Sequence, residues 1–297
     1  MPHILTLVAP PGLLTPAMLP PVRAAMEALG ADCGTPDWLS KGEAADIPFT
    51  RLAVEPAQAA ALAALAGAPV DAIAQPVAGR RKKLLLADMD STIVTTETLD
   101  ELAAEAGLKV RIAAITARAM NGELDFKDAL RERVAMLKGL PEAALDRTWA
   151  TTELMPGARA LVATMAAAGA YCALVSGGFS WFTSRVAALV GFSAHHSNLL
   201  GLEDGQLTGL VAEPILDREA KLAALKRLAT ERGLGLAEAV TVGDGANDLP
   251  MLLAAGLGVA FRAKPSVQAQ ARARVNHGDL TALLFAQGFR RADFLGG

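Results

Sequence analysis

The apolar run LLLADMD, residues 84–90, ends in two aspartates, Asp88 and Asp90, with one residue between them. Such a run reads as a buried strand, and two like charges at the rim of a core lose hydration and repel each other. A metal site or a proton-transfer site can use that arrangement; a purely structural edge has no need of it. Three more polar sets stand in comparable places. Ser176-Gly177-Gly178 follows the run YCALV, Gly243-Asp244-Gly245-Ala246-Asn247-Asp248 follows AVTV, and Lys221 lies early in the helical stretch DREAKLAALKRLATERG. Each is ordinary alone: strand-end aspartates cap helices, and Ser-Gly-Gly makes turns. The GDGAND segment also departs from the dinucleotide fingerprint, because Asp248 stands where the third glycine belongs.

Together the sets supply carboxylates for a hard cation, donors for an anion and a fixed positive charge. That equipment suits phosphoryl transfer, where positioning and charge neutralisation do most of the work. In this reading Asp88 is the nucleophile and forms an aspartyl-phosphate. Asp90 protonates the leaving alkoxide and later deprotonates water, which requires a pKa well above the ordinary carboxylate value of about 3.9. Asp244, with Asp248 behind it, completes an oxygen-rich site suited to Mg²⁺ rather than zinc. Lys221 neutralises phosphate and nucleophile, while Ser176 and the Gly177 N–H hold phosphate oxygens.

These groups need elements that bring them to one edge. From residue 83 onward four apolar runs, KKLLLA, YCALV, AVTV and LGVAF, alternate with helical patterns, which predicts a parallel sheet covered on both faces. Ligands bind such sheets at the carboxyl ends of the strands, where the polar sets fall. Between the first two runs, residues 97–150 read as several helices forming a cap, with a capping box of Thr98 and Glu101 at its start. HHSNLLGLEDGQLTGLVAE reads as a hairpin turning at Asp204-Gly205. Residues 3–78 follow the order βαββαβ, a ferredoxin-like α+β arrangement with a weak strand at ADCGTPDWLS. AGRRKK, residues 78–83, reads as a solvated linker, which divides the chain into domains at 1–78 and 79–297.

A chain of 297 residues suggests about two domains, and its net charge of −3 offers no electrostatic case for nucleic acid or an anionic membrane. No apolar run approaches the ~20 residues that span a bilayer, and MPHILTLVAPPG lacks the features of a signal peptide. The two cysteines form no CxxC pair. The expectation is a soluble, cytoplasmic protein with no nucleic-acid or membrane partner. His3, His195, His196 and His277 lack metal-ligand spacing, and the histidine pair is expected in a hairpin or loop.

The segments DMDST, SGG, Lys221 and GDGANDLPML resemble the four motifs of the haloacid dehalogenase-like phosphatases. DMDSTIVTTETLDELAAEAG, AMNGELDFKDALRERVAMLKGL and VGDGANDLPMLLAAGLGVAFRAKP are similar to the phosphoserine phosphatase branch of that family. The resemblance covers about residues 83–278. It implies an α/β fold, a Rossmann-like parallel sheet core with an inserted helical cap. It also implies Mg²⁺-dependent hydrolysis of O-phospho-L-serine, the last step of L-serine biosynthesis. Carried over, Asp88 is nucleophile and metal ligand, Asp90 is acid/base and binds metal through its carbonyl, and Asp244 is the third ligand. Ser176, Gly177, Lys221 and Asn247 surround the phosphate. Glu97 and Arg133 read the substrate's ammonium and carboxylate, with Met120 and Phe126 as apolar contacts. The N-terminal unit resembles the small regulatory modules of the ACT kind, which implies dimerisation to a homodimer, stabilisation or amino-acid sensing. The nearest alternative is hydrolysis of another small phosphomonoester or phosphoryl transfer to another alcohol such as homoserine, and a non-catalytic amino-acid sensor is the alternative of another class.

Overall fold

Period-two alternation gives the first strand two working faces. In β1 (His3–Val8), Leu5 and Leu7 enter one core and Val8 enters another. The same split runs through β4 (Ala44–Thr50) and β5 (Asp71–Pro76). Ala45, Ile47, Phe49 and Ala72 face α1 (Leu19–Ala28) and α2 (Val54–Ala64), whereas Ala44 and Ile73 face the rest of the chain. The computed structural model describes residues 1–120 and 123–296, with the side chain of Met120 outside what is described.

This first sheet is antiparallel, ordered β2-β4-β1-β5, with β2 at Asp32–Cys33. The expected weak strand is two pieces: β2 and β3 (Asp37–Ser40) pair separately with β4. Gly34 and Pro36 separate them, and proline has no N–H to give a ladder.

The second sheet has six parallel strands in the order β13-β12-β11-β6-β7-β8. Its first strand is β6 (Leu84–Ala87). A cap of four helices follows: α3 (Thr98–Glu105), α4 (Lys109–Met120), α5 (Phe126–Ala135) and α6 (Ala143–Ala150). The chain continues through α7 (Ala158–Ala167), β7 (Tyr171–Phe179), α8 (Ser180–Val190) and β8 (Ala194–Asn198). A hairpin of β9 (Leu200–Glu203) and β10 (Gln206–Val211) turns at Asp204-Gly205, both with positive φ, as a two-residue loop requires. α9 (Arg218–Glu231), β11 (Ala239–Gly243), α10 (Leu249–Ala254), β12 (Leu257–Phe261), α11 (Pro265–Gln268), β13 (Ala273–Val275) and α12 (Ala282–Ala286) complete the chain.

The four apolar runs form the four central strands. The flanking strands carry little apolar signal: β13 is three residues long and β8 reads AHHSN. His195 and His196 therefore lie in a strand, not in a hairpin or loop. His195 Nδ1 is 3.0 Å from Thr183 Oγ1, and His196 Nε2 is 3.2 Å from Arg227 Nη2. The expected capping box is not formed either. Glu97 is the N-cap of α3 and makes no side-chain cap bond, while the Thr98 N–H is taken by Asp90.

The two sheets are held together by polar groups that alternation alone would assign to water. Asp71 accepts the backbone N–H groups of Asn276, His277 and Gly278 at 2.8–3.1 Å. Gln75 Nε2 donates to Ala286 O at 2.6 Å. The segment 78–83 is exposed at Ala78, Gly79, Arg81 and Lys83, as a solvated connector would be, but Arg80 is drawn into this junction. Its guanidinium grips both oxygens of Asp46, at 2.6 and 2.7 Å, and donates to Thr6 Oγ1 and to the carbonyls of Phe285 and Ala286. A basic residue enters a largely buried site when its donors find acceptors, and here each guanidinium nitrogen has at least one. No helix among the described residues is long and apolar enough to cross a membrane.

Arg80→Ala strands the Asp46 carboxylate, whose side chain is 7% exposed. The expected result is a loss of about 3 kcal/mol of unfolding free energy by urea titration. A change below about 0.5 kcal/mol contradicts the clamp, since that is what an ordinary surface substitution produces.

Candidate active site

The three central strands place the chemistry. Asp88 follows β6, which lies between β7 with Ser176-Gly177-Gly178 and β11 with the GDGAND segment. The Asp88 N–H continues the ladder to Val242 O at 3.0 Å, so the residue sits at the carboxyl edge of the sheet. The assigned strand β7 runs through the glycines, with a register shift between Val175 and Phe179. Asp217 caps α9 by accepting the N–H groups of Glu219 and Ala220, both at 3.0 Å. One turn later Lys221 points inward, 1% exposed.

Lys221 Nζ lies 2.8 Å from Asp88 Oδ1 and 2.7 Å from Asp248 Oδ1. The other Asp248 oxygen accepts the Gly245 N–H at 3.1 Å, so both its oxygens are engaged by protein donors. Asp88, Asp244 and Asp248 each offer an oxygen within 4.8 Å of the others. Asp244 is 2% exposed, and its Oδ1 has no hydrogen-bond partner among the described residues. Burial, then the Asp248 charge, pushes the Asp88 carboxyl well above the ordinary range and Asp244 to about 7. Burial works against the Lys221 ammonium, but Asp248 and Asp88 outweigh it and raise its pKa.

Asp90 occupies a different environment from Asp88. Burial lifts it to about 6, partly offset by the Thr98 N–H, which reaches its Oδ1 at 3.0 Å. Ser91 then adopts positive φ, uncommon for a residue with a side chain, and reverses the chain toward the site. The Ser91 hydroxyl donates to Glu97 Oε1 at 2.6 Å, fixing Glu97 beside the aspartates. Burial, followed by Asp90 and Asp244, pushes Glu97 to about 8.

A cavity of about 510 Å³ opens between this edge and the cap. Its wall includes Asp88, Asp90, Glu97, Phe126, Arg133, Ser176, Gly177 and Asn247. Lys221, Asp244 and Asp248 do not line it; they are buried in the floor region around Asp88. The expected residues thus converge, apart from Met120, whose side chain lies outside the described residues. Phe126 meets the sheet edge closely at Gly177: a Cβ there would lie 2.8 Å from its ring carbon Cζ, so a side chain at this position would push the ring aside. Two ion pairs join α5 to the segment before α9, Lys127–Asp217 at 3.0 Å and Arg131–Glu213 at 2.7 Å.

Sequence reasoning missed two positioning groups. Ser91 sits inside the motif DMDST, but its role depends on a backbone reversal that residue type does not announce. Asn198 is 2% exposed; its amide donates to Gly177 O at 2.8 Å and its oxygen accepts the Leu216 N–H at 2.6 Å. It ends a strand without apolar signal, and the one available clue was a polar residue preceding Leu199-Leu200.

Asp90 and Asp244 carry folded-state pKa values near 6 and 7, above the model-peptide value of about 3.9. Between about pH 4 and 7 the folded chain therefore binds more protons than the unfolded chain, and stability falls as pH rises. With divalent cations chelated, the urea midpoint should drop from pH 5 to pH 7.5, and Asp244→Asn should flatten that drop. An identical slope in the variant contradicts the assignment.

The haloacid dehalogenase-like hydrolase model matches residues 85–253. Phosphoserine phosphatase SerB2 of Mycobacterium tuberculosis is 45% identical over 217 residues, 73% of this chain and 53% of that protein. The chain spans between 53% and 64% of the length of the first curated relatives it matches. A probable phosphoserine phosphatase from Vibrio cholerae, unliganded, superposes with a TM-score of 0.78 at 31% identity, covering 98% of this chain and 88% of that one. A phospho-aspartyl intermediate analogue of phosphoserine phosphatase superposes at 0.66 with 38% identity, covering 69% of this chain and 98% of that one. The chain belongs to the haloacid dehalogenase-like hydrolase family.

Proposed function

We propose that this chain is a Mg²⁺-dependent phosphoserine phosphatase, hydrolysing O-phospho-L-serine to L-serine and phosphate as the last step of L-serine biosynthesis. The observation that carries the reading is one cavity holding both halves of the recognition. Asp88 and Asp90 stand at the sheet edge, and Glu97 and Arg133 stand in the same wall. A zwitterionic amino acid needs one anion for its ammonium and one forked cation for its carboxylate; Arg133 provides the cation, and the ammonium itself draws the Glu97 carboxyl, raised to about 8 by burial, into its charged form. Relatives named phosphoserine phosphatase, and one solved as a phospho-aspartyl analogue, support both the substrate and the covalent route.

The chemistry follows from the geometry. An Asp88 carboxylate oxygen attacks phosphorus while the serine oxygen leaves, taking the proton held by Asp90. Asp90, now ionised, accepts a proton from water, whose oxygen attacks the aspartyl-phosphate and releases phosphate and the free Asp88. Lys221 balances the charge of the nucleophile, Ser176 and the Gly177 N–H hold phosphate oxygens, and Asn247 borders the same space. The donor set fits Mg²⁺: all oxygen, with the buried Asp244 Oδ1 lacking a partner among the described residues. Asp88, Asp244 and the Asp90 carbonyl would hold it, with Asp248 supporting from behind through Lys221 and Gly245. When bound, the ion supplies positive charge against the phosphate oxygens. Phe126, together with Met120, would supply the apolar side of the pocket.

We read residues 1–78 as a separate ferredoxin-like, ACT-like domain and residues 79–297 as the catalytic domain. The strand order β2-β4-β1-β5, with both helices packed on one face, supports that reading. The polar bonds made by the opposite face through Asp46, Asp71 and Gln75, the first of them with Arg80, favour a stabilising role for the domain.

The test is phosphate release from O-phospho-L-serine, phosphothreonine, phosphoethanolamine and glycerol phosphate, with and without Mg²⁺. Metal-dependent turnover that strongly favours phosphoserine is expected. Equal rates on all four would overturn the substrate, and no release from any would overturn the hydrolase reading.

A further inference from the structure

Arg133 is held in the cap by a chain of groups that the reaction itself does not use. Three cap helices contribute one residue each: Asp100 from α3, Thr116 from α4 and Arg133 from α5. All three are buried, at 9%, 5% and 6% exposure. Arg133 Nη1 donates to Thr116 Oγ1 at 2.9 Å, and Thr116 Oγ1 donates to Asp100 Oδ1 at 2.8 Å. Arg133 Nε is committed to Ala129 O at 3.1 Å, one turn back on its own helix.

The direction of every proton in this chain is determined. A guanidinium only donates, so the Thr116 oxygen must accept from Arg133. Its single proton then has two acceptors in reach, Asp100 Oδ1 at 2.8 Å and Ile112 O at 3.1 Å. The carboxylate is the shorter and the charged one, so it prevails. With Nε and one Nη1 hydrogen committed, Nη2 makes no hydrogen bond among the described residues and is left for a ligand in the cavity whose wall Arg133 and Thr116 share. The interposed hydroxyl also matters electrostatically. A direct Asp100–Arg133 pair would satisfy the guanidinium and compete with a ligand carboxylate; a hydroxyl between them orients the fork while keeping its charge available.

We infer that Thr116, backed by Asp100, is a positioning residue that aims the Arg133 guanidinium at the carboxylate of the substrate and so determines preference for a phosphorylated amino acid over a phosphorylated amine. This rests on the phosphoserine reading above. It assigns specificity to two residues that touch neither phosphorus nor the attacking groups.

The test compares wild type with Thr116→Val, Thr116→Ser and Asp100→Asn on phosphoserine and on phosphoethanolamine, which lacks the carboxylate. Thr116→Val should raise KM for phosphoserine by about tenfold or more, the size of a lost hydrogen bond to a charged group. Its kcat/KM for phosphoethanolamine should be unchanged. Thr116→Ser, which restores the hydroxyl, should return the phosphoserine KM to near the wild-type value, and Asp100→Asn should shift it in the same direction as Thr116→Val but by less. Parallel losses on both substrates would mean that Thr116 only packs the cap, and an unchanged phosphoserine KM in Thr116→Val would remove its role altogether; either overturns the inference with the substrate assignment intact. A wild type that does not distinguish the two substrates would overturn the substrate assignment itself, and this inference with it.

Discussion

One buried ammonium holds the site together. Lys221 reaches two carboxylates, Asp88 and Asp248, at 2.8 and 2.7 Å, and a third, Asp244, stands within the same cluster. Three carboxylates around one buried ammonium, with the exposed Lys264 acting on Asp244 from outside, crowd like charges in a place that water hardly reaches. Removing such charges from water is costly unless geometry and hydrogen bonds compensate. Asp248 is fully compensated, by Lys221 and by the Gly245 N–H. Asp244 is not, and its unpartnered oxygen is where a cation gains most. On the reading proposed above, a bound cation would relieve this crowding of like charge.

The rest of the fold serves that cluster. Parallel strands bring Asp88, the Ser176 end of β7 and the Asp244 segment to one edge, and the helix that starts at Arg218 delivers Lys221 from beside it. Small residues are needed where parts come close. Gly177 leaves room for the Phe126 ring, and a side chain on Gly243 would run into Asp248. The cap supplies what the sheet edge lacks, an apolar wall and the pair Glu97 and Arg133. Asp90 links the two layers, since its carboxyl lies in the cavity wall and also accepts the first N–H of the cap's leading helix. A proton change on Asp90 is thereby coupled to the anchoring of the cap.

What could be read from the sequence follows the physics of burial. The four central strands are buried on both faces, so their apolar runs stand out, and the polar residues after them mark the chemistry. The edge strands 194–198 and 273–275 escape notice because one is polar and the other short. The two-faced first sheet was legible as an order of elements, but not the polar junction on its far side. Thr6, Asp46, Asp71 and Gln75 look like solvent-facing positions until Arg80, the backbone of residues 276–278 and the Ala286 carbonyl are placed against them. In the same way Thr98 and Glu101 have the spacing of a capping box, yet tertiary structure gives the Thr98 N–H to Asp90 instead. Local rules yielded where a distant partner of higher charge was available.

The central claim is that Asp88 carries the phosphoryl group. Its most direct test is rapid acid quenching during turnover of ³²P-labelled phosphoserine, followed by peptide mapping. The account predicts an acid-stable, hydroxylamine-sensitive label on the peptide containing Asp88, absent from Asp88→Asn. Full turnover without protein-bound label in the wild type, or a label on another residue, would contradict it.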